Sequence, residues 1–194
     1  MAKYAAETDR LWLQPLSVED HLQDFHQIMS DKKAISFSYP PADILITKRF
    51  MLKFVPSLEK PWVENYAILL RASQNANENG EPRMIGTVGS TRLADEDAIE
   101  IAYGLHSDYW GKGYMVEALG MFIKLYWAVE RTGVRNTLIA KIDPENVASW
   151  KVVEKLGFQK GEVLENAYQR GADSGSGKSE RSQEKWCLER PKNG

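Results

Sequence analysis

The chain has 194 residues, 43% of them apolar, enough for one domain with a real core. Its 25 basic and 27 acidic side chains leave a net charge of -2. That excludes a broad basic field for nucleic acid or an anionic membrane.

The first predicted element is a strand over Arg10–Leu16, where Leu11 and Leu13 alternate with Trp12 and Gln14. "SVED" then offers a Ser-x-x-Asp cap, and Val18, Leu22, Phe25 and Met29 fall at helical spacing, predicting a helix over Val18–Ser30. "YPP" breaks the chain, and a second helix is expected over Ile44–Phe54, closed by Pro56 and Pro61. Asn65–Leu70, Arg83–Leu93 and Ala98–Leu105 read as three strands of an antiparallel meander. From Tyr114 to Val129 the apolar period changes to that of a long helix, with Gly133 as its stop. "VRNTLIAKI" reads as a central strand buried on both faces. A short helix follows over Val147–Leu156, closed by Gly157, then a strand from "GFQKGEVLENAY" and a last one in "EKWCLER". Gly171–Glu184, rich in Gly, Ser and charge, reads as a flexible loop. The strand–helix–strand in the middle implies a right-handed parallel crossover. The expected fold class is α/β (α+β), a mixed central sheet with an antiparallel N-terminal meander and helices on both faces, in a single domain over residues 8–190.

Other classes fall away. A lone cysteine, Cys187, permits no internal disulfide and no thiolate cluster, and is expected to be structural. His21, His26 and His106 lack metal-ligand spacing, so no metal is expected. "MAKYAAETDR" has no apolar h-region, and no apolar run reaches the ~18 residues of a membrane span. A soluble cytoplasmic protein is expected, as monomer or homodimer, with no nucleic-acid or membrane partner.

Two stretches compete as phosphate loops. "ADSGSGKS", Ala172–Ser179, matches [AG]-x-x-x-x-G-K-[ST] and would make the chain a nucleotide hydrolase. Its context argues otherwise. Polar "NAYQRG" precedes it where a buried strand is needed, and "ERSQEKWCLER" follows it where a helix should open. "YWGKGYM", Tyr109–Met115, stands between a strand and a long helix. Gly111 and Gly113 allow a tight turn, and a helix N-terminus adds unpaired N–H donors, which suits a pyrophosphate. A plain strand-to-helix turn would use the same glycines.

"NVASWKVVEKLGF", Asn146–Phe158, resembles the Asn-x-x-Ser-x-x-(aliphatic)-x-Glu-Lys-Leu-Gly-Phe block of the GCN5-related N-acetyltransferase (GNAT) superfamily, and "YWGKGYMVEA" resembles its acetyl-CoA loop. "ETDRLWLQPLSVED" is similar to the entry of the branch that acetylates ribosomal protein N-termini, the RimJ/RimL-like enzymes. The resemblance spans about Thr8 to Arg190. Trp110 and Met115 depart from the loop's usual Gln/Arg and Gly/Ala, and Val153 stands where many members carry a tyrosine that protonates the leaving thiolate.

The resemblance implies acetyl transfer from acetyl-CoA to a primary amine, on a protein N-terminus or a small molecule, by direct attack in a ternary complex. The alternative is a catalytically weak acyl-CoA-binding or regulatory module, which the missing tyrosine permits. Cofactor contacts are expected from Trp110, Gly111, Lys112, Gly113, Tyr114 and Met115. Leu105 and His106, at the end of a splayed strand, are expected to offer free backbone groups to pantetheine. Asn146 and Ser149 complete the set. Glu100 shares a strand face with Ala102, Gly104 and His106 and is expected to act as base from the floor of a groove, the alternative being a solvent-facing acid. His106 could shuttle protons or simply be exposed. Ser149 is the expected thiolate acid, with Tyr168 second. Tyr39, Trp62 and Tyr168 are candidate acceptor walls. The Gly171–Glu184 stretch is expected to act as a mobile lid.

Overall fold

A computed structural model describes residues 3–37, 43–71, 82–128, 134–168 and 180–192. Strands β1 (Ala6–Glu7), β2 (Leu11–Pro15), β3 (Glu64–Leu70), β4 (Met84–Asp95), β5 (Ala98–Leu105), β6 (Thr137–Ile142), β7 (Gln159–Tyr168) and β8 (Arg181–Glu189) form one sheet in the order β1-β2-β3-β4-β5-β6-β8-β7. The helices are α1 (Val18–Ser30), α2 (Ile44–Met51), α3 (Tyr114–Ala128) and α4 (Val147–Lys155). Every pairing is antiparallel except β5 with β6, the expected crossover through α3.

The sheet has helices on both faces. On the front, α1 and α2 bury Phe25, Ile28 and Met51 against Ala67, Leu69 and Met84 of β3 and β4. On the back, α3 and α4 bury Leu119, Phe122 and Val153 against Ile68, Ile99 and Leu138. Alternation along each strand sends one set of side chains to each layer. Ser17 caps α1 by accepting the Asp20 N–H, which fixes the helix at the expected residue.

Three differences from expectation have a visible cause. Strand β1 was not foreseen; two residues are too few to show alternation, and only its pairing with Leu13 and Trp12 makes it a strand. Helix α2 stops at Met51 rather than Phe54, because Lys53 and Phe54 donate to Phe50 and Met51, three residues back, and tighten the last turn. Strand β8 begins at Arg181, so the expected loop ends sooner than Glu184. Arg181 pairs with Tyr168 and Gln183 with Leu164, so the register of β7 draws this polar stretch into the sheet. The rest of that loop, including Ala172–Ser179, together with Tyr39 and Gly133, lies outside the described residues.

Candidate active site

Strands β5 and β6 pair only where Ala98–Glu100 meet Thr137–Ile139. Beyond Glu100, β5 stays bonded to β4 as far as Leu105 while β6 leaves it. A wedge-shaped gap opens between the two strands. Backbone groups alternate in direction along a strand. Asp97 C=O accepts Thr137 N–H on the β6 side, and His106 N–H donates to Ile85 C=O on the β4 side. The backbone of Tyr103 and Leu105 therefore faces the gap.

This corrects the expectation for His106. Its N–H is spent on Ile85 at 2.9 Å, and its C=O accepts Tyr109 N–H at 3.1 Å. Its ring turns to the start of a 3-10 turn over Ser107–Tyr109, where Nδ1 accepts Asp108 N–H. Leu105 offers less than expected, because its C=O accepts the Trp110 indole N–H at 3.0 Å. Its N–H remains directed at the gap.

The glycine loop follows. Gly111 and Gly113 have φ of 74° and 79°, in the left-handed region where a side chain is strained. Among the described residues, the N–H groups of Gly111 through Val116 have no acceptor. They form a row of free donors at the positive end of α3. Lys112 folds back, its ammonium on Asp108 C=O at 2.9 Å.

A brace holds this loop, and no pattern along the chain points to it. Arg10 donates to Lys112 C=O at 3.0 Å, and its Nε donates to Glu117 at 2.8 Å. Thr8 Oγ1 donates to the other Glu117 oxygen. The Arg10 guanidinium also stacks 4.7 Å from the Tyr114 ring. These partners are more than 100 positions apart.

On the far side of the gap, Asn146 Oδ1 accepts Ser149 N–H at 3.2 Å and opens α4. Ser149 is half-buried, and its C=O accepts the Tyr103 phenol at 3.0 Å. Burial pushes that phenol well above its ordinary pKa. Val153, at the register of the superfamily's tyrosine, is fully buried in the back core. The Tyr168 hydroxyl is bonded to the buried Asp143 carboxylate.

Two cavities meet here. The larger, about 450 Å³, runs between the glycine loop, the end of β5 and α4. Of the expected cofactor residues it is lined by Leu105, Trp110, Gly111, Gly113, Tyr114, Met115, Asn146 and Ser149, but not by His106 or Lys112. Lys33, Lys151 and Lys155 bring positive charge to it. The smaller, about 210 Å³, lies on the front under α1 and α2. Phe25, Ile28, Met29, Phe50 and Phe54 make it apolar, with Asn65 and Thr87 as polar points. Ala34, Tyr103, Gly104 and Leu105 line both.

Glu100 lines neither cavity. It is 6% exposed and clamped between cations, Oε1 at 2.7 Å from Arg92 and Oε2 at 3.0 Å from Lys141. The expected acid on a groove floor is thus a paired carboxylate in the sheet. Among the described lining residues there is no carboxylate and no imidazole. Trp62 and Cys187 line neither cavity. No described group of three or more His, Cys, Asp or Glu could hold a metal, and no described helix is long and apolar enough to cross a membrane.

Asp31, just past α1, ties the front layer to this loop. Its carboxylate accepts Ser107 N–H at 2.7 Å and Lys33 N–H at 3.0 Å. Burial alone would raise its pKa, but these bonds and the nearby His106 outweigh it and hold it at about 2.

The family profile described as "Acetyltransferase (GNAT) domain" matches residues 10–159. An uncharacterized N-acetyltransferase, p20 of Bacillus licheniformis, is 28% identical over 160 residues, covering 81% of this chain and 83% of its own. Among solved structures, the Salmonella typhimurium acetyltransferase that modifies the N-terminal serine of ribosomal protein L7/L12 superposes with a TM-score of 0.74 at 17% identity, covering 95% of this chain and 97% of its own. RimL, a ribosomal L7/L12 α-N-protein acetyltransferase in complex with coenzyme A, gives 0.72 at 17% identity, over 96% and 98%. At these identities the likeness of the solved structures is one of fold.

Proposed function

The chain belongs to the GNAT acetyltransferase family, and on that premise we propose that it moves the acetyl group of acetyl-CoA directly to a primary amine in a ternary complex. One observation carries this reading. A groove with a row of free N–H donors at one end and a strand gap at the other opens onto a second cavity at Gly104.

The N–H groups of Gly111–Met115 hold the pyrophosphate, with Lys33, Lys151 and Lys155 adding charge. The pantetheine arm lies in the gap and pairs with the backbone of Tyr103 and Leu105 and with Asn146. That places the thioester near Gly104, where the cavities join. A backbone N–H facing the gap is the donor for the oxyanion that forms on attack. Ser149, in the groove wall at the start of α4, delivers a proton to the departing sulfur. Glu100, held by Arg92 and Lys141, anchors the sheet, and the amine loses its proton to solvent.

The acceptor enters from the front. The enzymes that modify ribosomal protein L7/L12 make a protein N-terminus a natural class to test. The lining of the front cavity favours an amine with an uncharged, apolar neighbouring group over a polycation. A cavity of about 150 Å³ holds a benzene ring, so this one has room for a leucine-sized or phenyl group.

The test is free-thiol release from acetyl-CoA over a panel of peptides and small amines, alongside calorimetric binding of acetyl-CoA. The expected result is binding, with turnover on amines bearing apolar groups. Binding without turnover across the panel would support the weak-binder alternative that Val153 permits. Absence of acetyl-CoA binding would overturn both readings.

A further inference from the structure

Resting on the acetyl-transfer reading, we propose that Tyr103 is a catalytic residue, its phenol hydrogen-bonding the sulfur of coenzyme A as the thioester breaks. The superfamily's sulfur-facing phenol comes from the α4 position that here is Val153, a fully buried core side chain with nothing to donate. Tyr103 brings a phenol to the same space from the opposite wall.

Three observations place it there. Tyr103 is one of four residues that line both cavities, and the only one of them with a side-chain donor. Its ring packs against the back core, the cluster that also holds Val153, so its position is set by packing. Its hydroxyl reaches across the groove to Ser149 C=O at 3.0 Å, on the first turn of α4. That bond spans the passage between the end of β5 and Asn146. A neutral carbonyl is a weaker acceptor than a thiolate, so the hydroxyl gains by turning to sulfur as negative charge develops.

The atoms balance without ionising the phenol. The amine nitrogen bonds to the thioester carbon, and the C–S bond then breaks with its electron pair left on sulfur. Tyr103 keeps its proton and donates a hydrogen bond to that pair. The proton lost by the amine ends on sulfur by way of solvent or Ser149, giving amide and free thiol. Burial keeps the phenol protonated through the working range, so it is a donor at every relevant pH.

The experiment needs no acceptor. Coenzyme A is bound to wild type and to Tyr103→Phe, and its thiol is titrated by ultraviolet thiolate absorbance. A hydrogen bond to the charged form favours it. The bound thiol should therefore ionise about one pH unit lower in wild type, a roughly tenfold change in thiolate fraction. Lys33, Lys151, Lys155 and the α3 terminus also favour thiolate, but they are present in both proteins and cancel in the difference. As a second readout, the preference for coenzyme A over its S-methyl analogue should rise with pH by about tenfold more in wild type than in the variant. The variant keeps the ring and its packing, and its melting curve checks the fold. Coincident titrations with coenzyme A bound would overturn the role of Tyr103 and leave the acetyl-transfer reading standing. If wild type binds no coenzyme A, that reading fails and takes this proposal with it.

Discussion

The groove behind the sheet and the cavity in front of it are built from different materials. The groove is made of main chain: free N–H groups on a glycine loop, the open edge of β5 and the capped start of α4. The front cavity is lined mostly by apolar side chains from α1, α2 and the strands beneath them. A backbone site suits a ligand whose phosphates and amides never change. A side-chain site can be recut one residue at a time, which is where acceptor choice belongs.

If that division is right, the two sites can be broken separately. The largest effect is expected from Gly113→Val. A β-branched residue at φ 79° carries about 1–3 kcal/mol of strain, which should cost roughly 10- to 100-fold in acetyl-CoA affinity by calorimetry. An affinity unchanged by this substitution would mean that the loop is not the phosphate site. Met29→Trp fills the front cavity and should raise the amine KM about tenfold, with acetyl-CoA affinity within about twofold. Equal losses for both substrates would dissolve the distinction.

Glu100→Gln probes the sheet between the two sites. It removes charge from between Arg92 and Lys141 and should cost about 1–2 kcal/mol, a lowered melting temperature, while the shape of the rate–pH profile stays put. Loss of the acid-side limb of that profile, where a base must lose its proton to act, would restore Glu100 as the base. The smallest effect is expected from Asp31→Asn, which cuts the tie between the front layer and the loop. The Asp31 carboxyl titrates at about 2 when folded and near 4 when unfolded, so its contribution is present above pH ~4 and fades as pH falls toward 2. The melting-temperature gap between wild type and Asp31→Asn should be steady at neutral pH and close over that acid window. A gap that persists at pH 2 would contradict the assignment.

What could be read from the sequence follows the same division. Ser17, Gly111, Gly113 and Asn146 act on their own local backbone, and their neighbours in the chain were enough to place them. Alternation along β5 was enough to place Glu100 on one face with Ala102 and Gly104. The partners across space were not readable. Arg92 and Lys141 reach Glu100 only because of a bulged register in β4 and a parallel pairing with β6. Thr8 and Arg10 meet Glu117 through the packing of the first hairpin on α3. Nothing in the pattern shows the Tyr103 hydroxyl crossing to α4. The use of the His106 N–H was hidden for a related reason: its acceptor, Ile85 C=O, lies on the neighbouring strand, which the local pattern does not show.

The central claim is that phosphates bind at Trp110–Met115 and not at Ala172–Ser179. Glycine-selective nitrogen-15 labelling addresses both loops in one spectrum, because Gly111 and Gly113 lie in the first and Gly175 and Gly177 in the second. On titration with coenzyme A, the amide resonances of Gly111 and Gly113 should move furthest. Movement confined to Gly175 and Gly177, or none at any glycine, would contradict the account.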